Sequence, residues 1–362
     1  MPFDRAQGRI AVFDLGGSWF RWGLYDRSSG LVLSRRAHAI NYLSHPAWSA
    51  AQLQQAMLDF ILQRVREMRC DGAGSFHSVS VALGAPINAH DQTVLGSGPL
   101  WGPSAKPCQL QARLQEALPE LQWQVVNDVT ALLAPYMDAL SPFRKTLLIT
   151  VSSGVGARLY DHRSGRIPYD PTHGVQGEIG HLTVAFELDG ALIRRQCECG
   201  GCSHLNAFAS GRGIARTLAE LPDRAPRFGT LYPDGPDRWR RESDEYRLSA
   251  FTTQLALQSA AATELLEACT TPLSRTLAAA LTMDPDIDRI VMTGGVPQGL
   301  GAAYRQALES TFLRDGLYQV TDHDPHYLTR RLHWQDPDDF AGLRGAGVYA
   351  AAAPHARTSH GK

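Results

Sequence analysis

Lysine is almost missing from this chain. Among 362 residues only Lys106, Lys145 and Lys362 carry an ammonium; the rest of the 35 basic side chains are arginine. That bias reads first as genome composition. An excess of one charge is missing as well: 35 basic residues stand against 36 acidic ones, a net charge of -1. No global electrostatic grip on nucleic acid or on an anionic membrane is supported. No apolar run approaches the roughly 18–20 residues that a membrane-spanning helix needs. Met1-Pro2-Phe3-Asp4-Arg5 lacks the basic-then-apolar layout of a secretion signal. These absences predict a cytoplasmic protein with neither a nucleic-acid nor a membrane partner. Six cysteines over this length are too few for a disulfide scaffold.

What is present is ordinary for a globular chain: 44 % hydrophobic and 20 % charged residues, which excludes disorder. The length predicts two domains. Ile10-Ala11-Val12-Phe13 reads as a strand, Gly16-Gly17-Ser18 as a turn, and Trp19 to Asp26 as a returning strand. Arg27-Ser28-Ser29-Gly30 is a second hairpin turn, leading into Leu31 to Arg35. Leu53, Met57, Phe60, Ile61 and Val65 recur at spacings of three and four, which predicts a helix over 48–69. Further strands are expected at Ser78–Leu83 and Gln124–Val126, with helices over 107–118 and 128–139. Leu147–Val151, a Ser152-to-Gly156 turn and Ala157–Tyr160 then repeat the opening layout. This reads as an internal duplication. Residues 222–247 read as a polar surface excursion, 249–281 as helical, Ile287–Met292 as a strand and Leu343–Ala353 as a final helix. The tail after Pro354 reads as loose.

The chemistry-bearing residues sit at the ends of these strands. Asp14-Leu15-Gly16-Gly17-Ser18 is either a plain glycine hairpin or an anion cradle with a carboxylate suited to a metal's water shell. Ser153-Gly154-Val155-Gly156 repeats that device, and two such turns can grip one polyphosphate. Asn127-Asp128 lies where a strand meets a helix. Asp128 there is either a helix N-cap or a carboxylate at a strand's carboxyl end, able to take a proton. Glu178 and His181 lie three apart. Cys197, Cys199 and Cys202 follow and, with His181, make a Cys3His set suited to tetrahedral zinc. Free thiols on a loop are the alternative. Ser210-Gly211 reads as a helix entry, and Gly294-Gly295 as a strand-to-helix turn that also leaves room for a flat ring.

In this order the motifs resemble the ROK family of bacterial sugar kinases and repressors. The resemblance runs through Asp14-Leu15-Gly16-Gly17-Ser18, Gly84-Ala85-Pro86, Asn127-Asp128 and Ser153-Gly154-Val155-Gly156. It continues through Glu178-Ile179-Gly180-His181, the cysteine loop, Ser210-Gly211 and Gly294-Gly295-Val296. It implies an α/β chain with the two-lobed actin- or hexokinase-like (ribonuclease H-like) ATPase fold and a cleft between lobes. The small lobe is expected at residues 1–127 plus a C-terminal helix near 340–356, and the large lobe at 128–339. The resemblance implies an ATP- and Mg²⁺-dependent kinase of a sugar-like primary hydroxyl, with Asp128 as general base. Gly84, Pro86, Asn127, Glu178, His181 and His204 face the substrate in this reading. Asp14 organises Mg²⁺, Gly16, Gly17, Ser18, Ser153, Gly154 and Gly156 surround the phosphates, and Gly294 and Gly295 face the adenosine. His181, Cys197, Cys199 and Cys202 hold a structural zinc, and a homodimer is expected.

The departures lie on the sugar side. Only Gly200 and Gly201 separate the second and third cysteines, where the family has four residues. His204 occupies the position at which family glucokinases carry a sugar-contacting Glu. Ser152-Ser153-Gly154 replaces Gly-Thr-Gly, and Gly98-Pro99-Leu100-Trp101 lacks the expected Asn. A carboxylate accepts from two hydroxyls, whereas a neutral imidazole accepts once and donates once. This points to a hydroxylated ring other than plain glucose at that end. Among ROK-like kinases of secondary metabolism, the resemblance then implies a C7-cyclitol phosphorylated at the 7-position, which lacks the hemiacetal that the missing Glu would read, with a kanosamine or glucose 6-kinase as the alternative. A sugar-binding protein without activity is a further alternative. A repressor is disfavoured, because the first core strand begins near residue 10.

Overall fold

The computed structural model describes residues 8–70, 75–102, 106–232 and 234–352. The expectations for Met1–Arg5, for the tail after Pro354 and for the last turn of a helix reaching 356 lie outside the described residues. The chain divides into two compact units. The first runs to Asp138 and includes Tyr169–Val175 and the residues from Asp338; the second holds Ala139–Pro168 and Gln176–Pro337.

The first unit opens on β1 (Arg9–Leu15), β2 (Trp19–Asp26) and β3 (Gly30–His38), joined as antiparallel hairpins. β1 is apolar along nearly its whole length because both its faces are buried. Helix α1 (Ala50–Cys70) buries Leu53, Met57, Ile61 and Val65, the stripe that the spacing predicted. Then come β4 (Ser78–Leu83), the short α2 (Gly98–Trp101), α3 (Leu110–Ala117), β5 (Gln122–Asn127) and α4 (Asp128–Leu133). The sheet order is β3-β2-β1-β4-β5, with β4 and β5 parallel to β1. The helix expected over 128–139 stops early. It tightens to a 3-10 turn at Ala134–Tyr136, where Pro135 has no N–H to continue the ladder.

The second unit begins with β6 (Lys145–Val151) and β7 (Val155–Asp161), followed by the small hairpin β8 (Glu187–Leu188) and β9 (Ala191–Leu192). Helices α5 (Asn206–Ala209), α6 (Gly211–Arg224), α7 (Pro236–Arg241), α8 (Asp244–Ala256) and α9 (Ala260–Met283) lead to β10 (Ile287–Thr293). Helix α10 (Gly295–Asp315) and β11 (Leu332–Trp334) complete the unit, and α11 (Ala341–Ala352) returns to the first. The sheet order is β11-β10-β6-β7. Each sheet thus places an antiparallel hairpin beside two strands parallel to its first member, and this is the duplication that the two glycine turns announced.

Two stretches differ from the sequence reading. Residues 222–247 do not form a plain surface excursion. Phe228, Leu231 and Trp239 are buried, and Trp239 Nε1 donates to the Leu218 carbonyl at 2.7 Å. Three apolar anchors inside a polar average were enough to fold the segment inward. The helix over 249–281 is two helices, broken where Gln258 adopts φ +54°. Among the described residues no helix is long and apolar enough to cross a membrane.

The first unit continues past residue 127 because α4 packs beneath α11. Ile10, Val12, Ala82, Val126, Ala131, Leu343 and Ala346 form one buried cluster. The two helices touch at Gly345, where a Cβ would overlap the Ala131 carbonyl. Gly345→Ala is expected to destabilise the protein by about 1–3 kcal/mol through overpacking. Gly299→Ala, in open space within α10, is expected to leave the thermal midpoint unchanged or slightly raised. Thermal melts of the two variants against the parent check this.

Candidate active site

Three adjacent parallel strands end side by side in the first unit. The register sets Asp14 opposite Ala82, and Leu83 opposite Asn127. Asp14, Gly84 and the Asn127-Asp128 pair therefore emerge together at the carboxyl edge of the sheet, where α/β sheets hold ligands. The helix cap is Asn127 rather than Asp128. Asn127 Oδ1 accepts from the Thr130 N–H at 3.1 Å, and its Nδ2 donates to the Ala85 carbonyl at 3.1 Å. One side chain thus ties the end of β5 to the Gly84-Ala85-Pro86 loop. Asp128 becomes the first helical residue, and its Oδ1 accepts from the Val129 N–H at 2.8 Å. Gly84 lies against the same carboxylate: a Cβ there would sit 3.1 Å from Asp128 Oδ2.

Asp14 is 9 % exposed. Burial lifts its carboxyl to about 6, the Arg21 guanidinium opposes that shift, and the Asp128 charge adds to it. Arg21 Nη1 donates to Asp14 Oδ2 at 3.2 Å. The sequence reading missed Arg21, although the hairpin register that pairs Asp14 with Arg21 contains the signal. Gly342 in α11 was missed too; a Cβ there would press on the Asp14 carboxylate at 2.7 Å. The adjoining turn is braced from outside. Gly16 N–H donates to the Trp19 carbonyl at 3.0 Å, Asn41 Nδ2 to the Gly17 carbonyl at 2.6 Å, and Ala39 N–H to the Ser18 carbonyl at 3.0 Å. Ser18 itself is exposed.

In the second unit the turn between β6 and β7 carries Ser153 and Gly154, and Gly156 follows in β7. Ser152 N–H donates to the Gly154 carbonyl at 2.8 Å, and Gly211 N–H to the Ser152 carbonyl at 2.7 Å. Asn206 Oδ1 accepts from the Val155 N–H at 2.6 Å. Asn206 is a positioning residue that no sequence spacing revealed. Ser210 caps α6, accepting from Gly213 N–H at 3.0 Å. Gly294 adopts φ +101° and packs against the end of β6, where a Cβ would overlap the Val151 carbonyl; Gly295 begins α10. The Ser152–Gly156 turn, Gly211 and Gly294–Val296 are thereby gathered at one end of the β6–β10 pair.

Glu178 precedes a single 3-10 turn, Ile179–His181, without capping it. Burial raises its carboxyl, and the buried Arg158 opposes the shift. Burial lowers His181, and burial followed by the His181 charge lowers His204; both shifts favour the neutral imidazole that a metal ligand requires. The expected metal set is not the one brought together. Single ligand atoms of His181, Cys197, Cys199 and His204 all lie within 4.8 Å of one another. Cys202 falls outside this group, its Sγ 3.6 Å from the Ser203 hydroxyl. Tetrahedral zinc with bonds of ~2.0–2.3 Å places ligand atoms roughly 3.3–3.8 Å apart, so the group fits with small side-chain movements.

The ROK family profile matches residues 10–352. The chain is 36 % identical over 346 residues to the 2-epi-5-epi-valiolone 7-kinase of an Actinoplanes species, covering 95 % of this chain and 93 % of the relative. It is 30 % identical to the C(7)-cyclitol 7-kinase of Streptomyces hygroscopicus subsp. limoneus, covering 95 % and 94 %. The crystal structure of a ROK family glucokinase from Streptomyces griseus with glucose and AMPPNP superposes with a TM-score of 0.67 at 17 % identity, covering 94 % of this chain and 98 % of that one.

The Asp14 shift has a defined sign. A folded value of about 6 against an unfolded 3.8 means that the native state holds a proton the unfolded state releases. This stabilising contribution is complete below about pH 4 and is lost as pH rises through about 6. With Mg²⁺ chelated, the thermal midpoint of the parent relative to Asp14→Asn should fall across that window, and melts at half-unit pH intervals measure it.

Proposed function

Because the chain belongs to the ROK family, we propose that it transfers the γ-phosphoryl group of ATP to the 7-hydroxyl of a C7-cyclitol. The likeness to cyclitol 7-kinases over nearly the whole chain carries this reading. His204 in place of a sugar-contacting Glu supports it, because a cyclitol has no hemiacetal for such a carboxylate to read. That the chain is a kinase of the sugar or cyclitol class follows from the same relatives.

In the proposed reaction Asp128 takes the proton from the attacking hydroxyl as the new oxygen–phosphorus bond forms and ADP leaves. The Val129 N–H fixes the direction of its carboxylate, and the Asn127 bonds fix the strand end that bears it. Glu178, His181, Gly84 and Pro86 line the substrate's hydroxyls. A bound Mg²⁺ supplies charge neutralisation on the transferring phosphates, and Asp14 is the residue to hold it. Arg21 keeps that carboxylate oriented and favours its ionised form. Backbone suited to phosphate is offered by Gly16, Gly17 and Ser18 in the first unit and by Ser153, Gly154 and Gly156 in the second, where Gly294 and Gly295 leave space for the adenosine. The chemistry is positioning and electrostatics, with no covalent protein intermediate. Zinc, in this reading, braces the loop after His181 and takes no part in the transfer. Cytoplasmic location and a homodimer rest on the resemblance to the family.

Incubation with ATP and Mg²⁺ against a panel of 2-epi-5-epi-valiolone, related cyclitols, glucose and kanosamine tests the substrate. Phosphorus NMR locates the new ester. A cyclitol 7-phosphate formed at far higher kcat/KM than either sugar phosphate is expected; a preference for glucose or kanosamine overturns the reading. Asp128→Asn is expected to lower kcat by about 10²–10⁴-fold, the usual contribution of a general base. Substrate affinity by calorimetry should stay near that of the parent.

A further inference from the structure

We propose that zinc in this chain is held by His181, Cys197, Cys199 and His204, and that Cys202 stands outside the ligand set. The assignment rests on the reading that the cluster binds zinc, and it concerns which side chains do so.

The backbone dictates the choice. Gln196 and Cys202 form an antiparallel bridge, so they share a face. Neighbouring residues of extended chain alternate faces, which sends Cys197 to the side opposite Cys202. Only Gly200 and Gly201 lie between the second and third cysteines. The turn is closed by the Gly200 N–H to the Cys197 carbonyl at 2.9 Å and the Cys197 N–H to the Gly201 carbonyl at 2.8 Å. Its tightness leaves no slack for Cys202 to swing across. Continued alternation would put residue 204 on the side of Cys202. Ser203 interrupts it with φ +55°, and His204 then bridges to Thr183.

The imidazole consequently points at the thiols. His204 Nδ1 lies 3.1 Å from Cys199 Sγ, and the His181 and His204 rings stand nearly perpendicular with centroids 5.5 Å apart. Gly201 makes room for it, since a Cβ there would overlap the His204 ring. Two thiolates and two neutral imidazoles are an established tetrahedral zinc set and leave the site uncharged. The shortened loop and the loss of Glu at position 204 are thus one change: the residue that would have contacted the substrate supplies the ligand that the displaced cysteine no longer does.

The test measures metal on the full chain. After equal dialysis against a chelator, zinc is quantified by mass spectrometry in the parent, Cys202→Ser, His204→Ala and His204→Cys. Cys202→Ser is expected to retain the parent's zinc, His204→Ala to lose it, and His204→Cys to recover it. With Co²⁺ substituted, the thiolate charge-transfer band should be unchanged in Cys202→Ser and stronger in His204→Cys. Alkylation of the zinc-loaded parent should label Cys202 and spare Cys197 and Cys199. Loss of zinc and of part of the cobalt band in Cys202→Ser, with retention in His204→Ala, overturns the assignment. A parent that holds no zinc or cobalt overturns the site altogether. Cyclitol phosphorylation is assayed on the same preparations, so failure of the kinase reading registers separately.

Discussion

Two carboxylates placed side by side at the ends of neighbouring parallel strands set the terms for the first unit. Asp14 is buried and feels the charge of Asp128, so its ionisation depends on a compensating cation. Arg21 partly supplies that compensation from the paired strand. In the proposed kinase the divalent ion that accompanies ATP meets the remaining demand. The local architecture serves the same pair: Asn127 caps α4 so that Asp128 need not, and α11 presents a glycine where any side chain would collide with Asp14.

The second unit solves a different problem with related parts. In the proposed kinase it offers backbone N–H groups and flat space rather than charge. The Ser152–Gly156 turn, Gly211 and Gly294 approach one another so closely that side chains are excluded at Gly294. Asn206 and Ser210 hold the turn and the adjacent helix in place. The two sheets repeat one topology, yet the carboxyl ends of their parallel strands bear different residues: Asp14 and Asp128 in the first, Ser152 and Gly294 in the second. In the proposed kinase the roles divide accordingly: proton and metal handling by the first unit, nucleotide binding mainly by the second.

The cysteine loop connects specificity to stability. In the proposed reading a zinc site braces the loop after His181, and Glu178, proposed to face the substrate, lies three residues before that histidine. Changing the loop length therefore changes both what holds the metal and what faces the substrate. In the proposed assignment His204 serves the metal at the position where family glucokinases carry a sugar-contacting Glu.

Much of this was legible in the residues. The strand–glycine–strand units at 10–26 and 147–160, the apolar stripe of α1 and the strand-end position of Asn127-Asp128 are local patterns, governed by side-chain period and turn chemistry. The membership of the family followed from the order of the motifs. What stayed hidden needed contacts between residues distant in the chain. Asn206 is engaged by Val155, Gly342 by Asp14, and Trp239 by the core beneath a polar stretch. None has a signature within its own neighbourhood. The cysteine loop shows the division most plainly. The sequence determined that two histidines and three cysteines lie close together along the chain. Only the folded backbone, through the Gln196–Cys202 bridge and the reversed φ at Ser203, decided which four face one another, because facing is set by strand pairing and not by spacing.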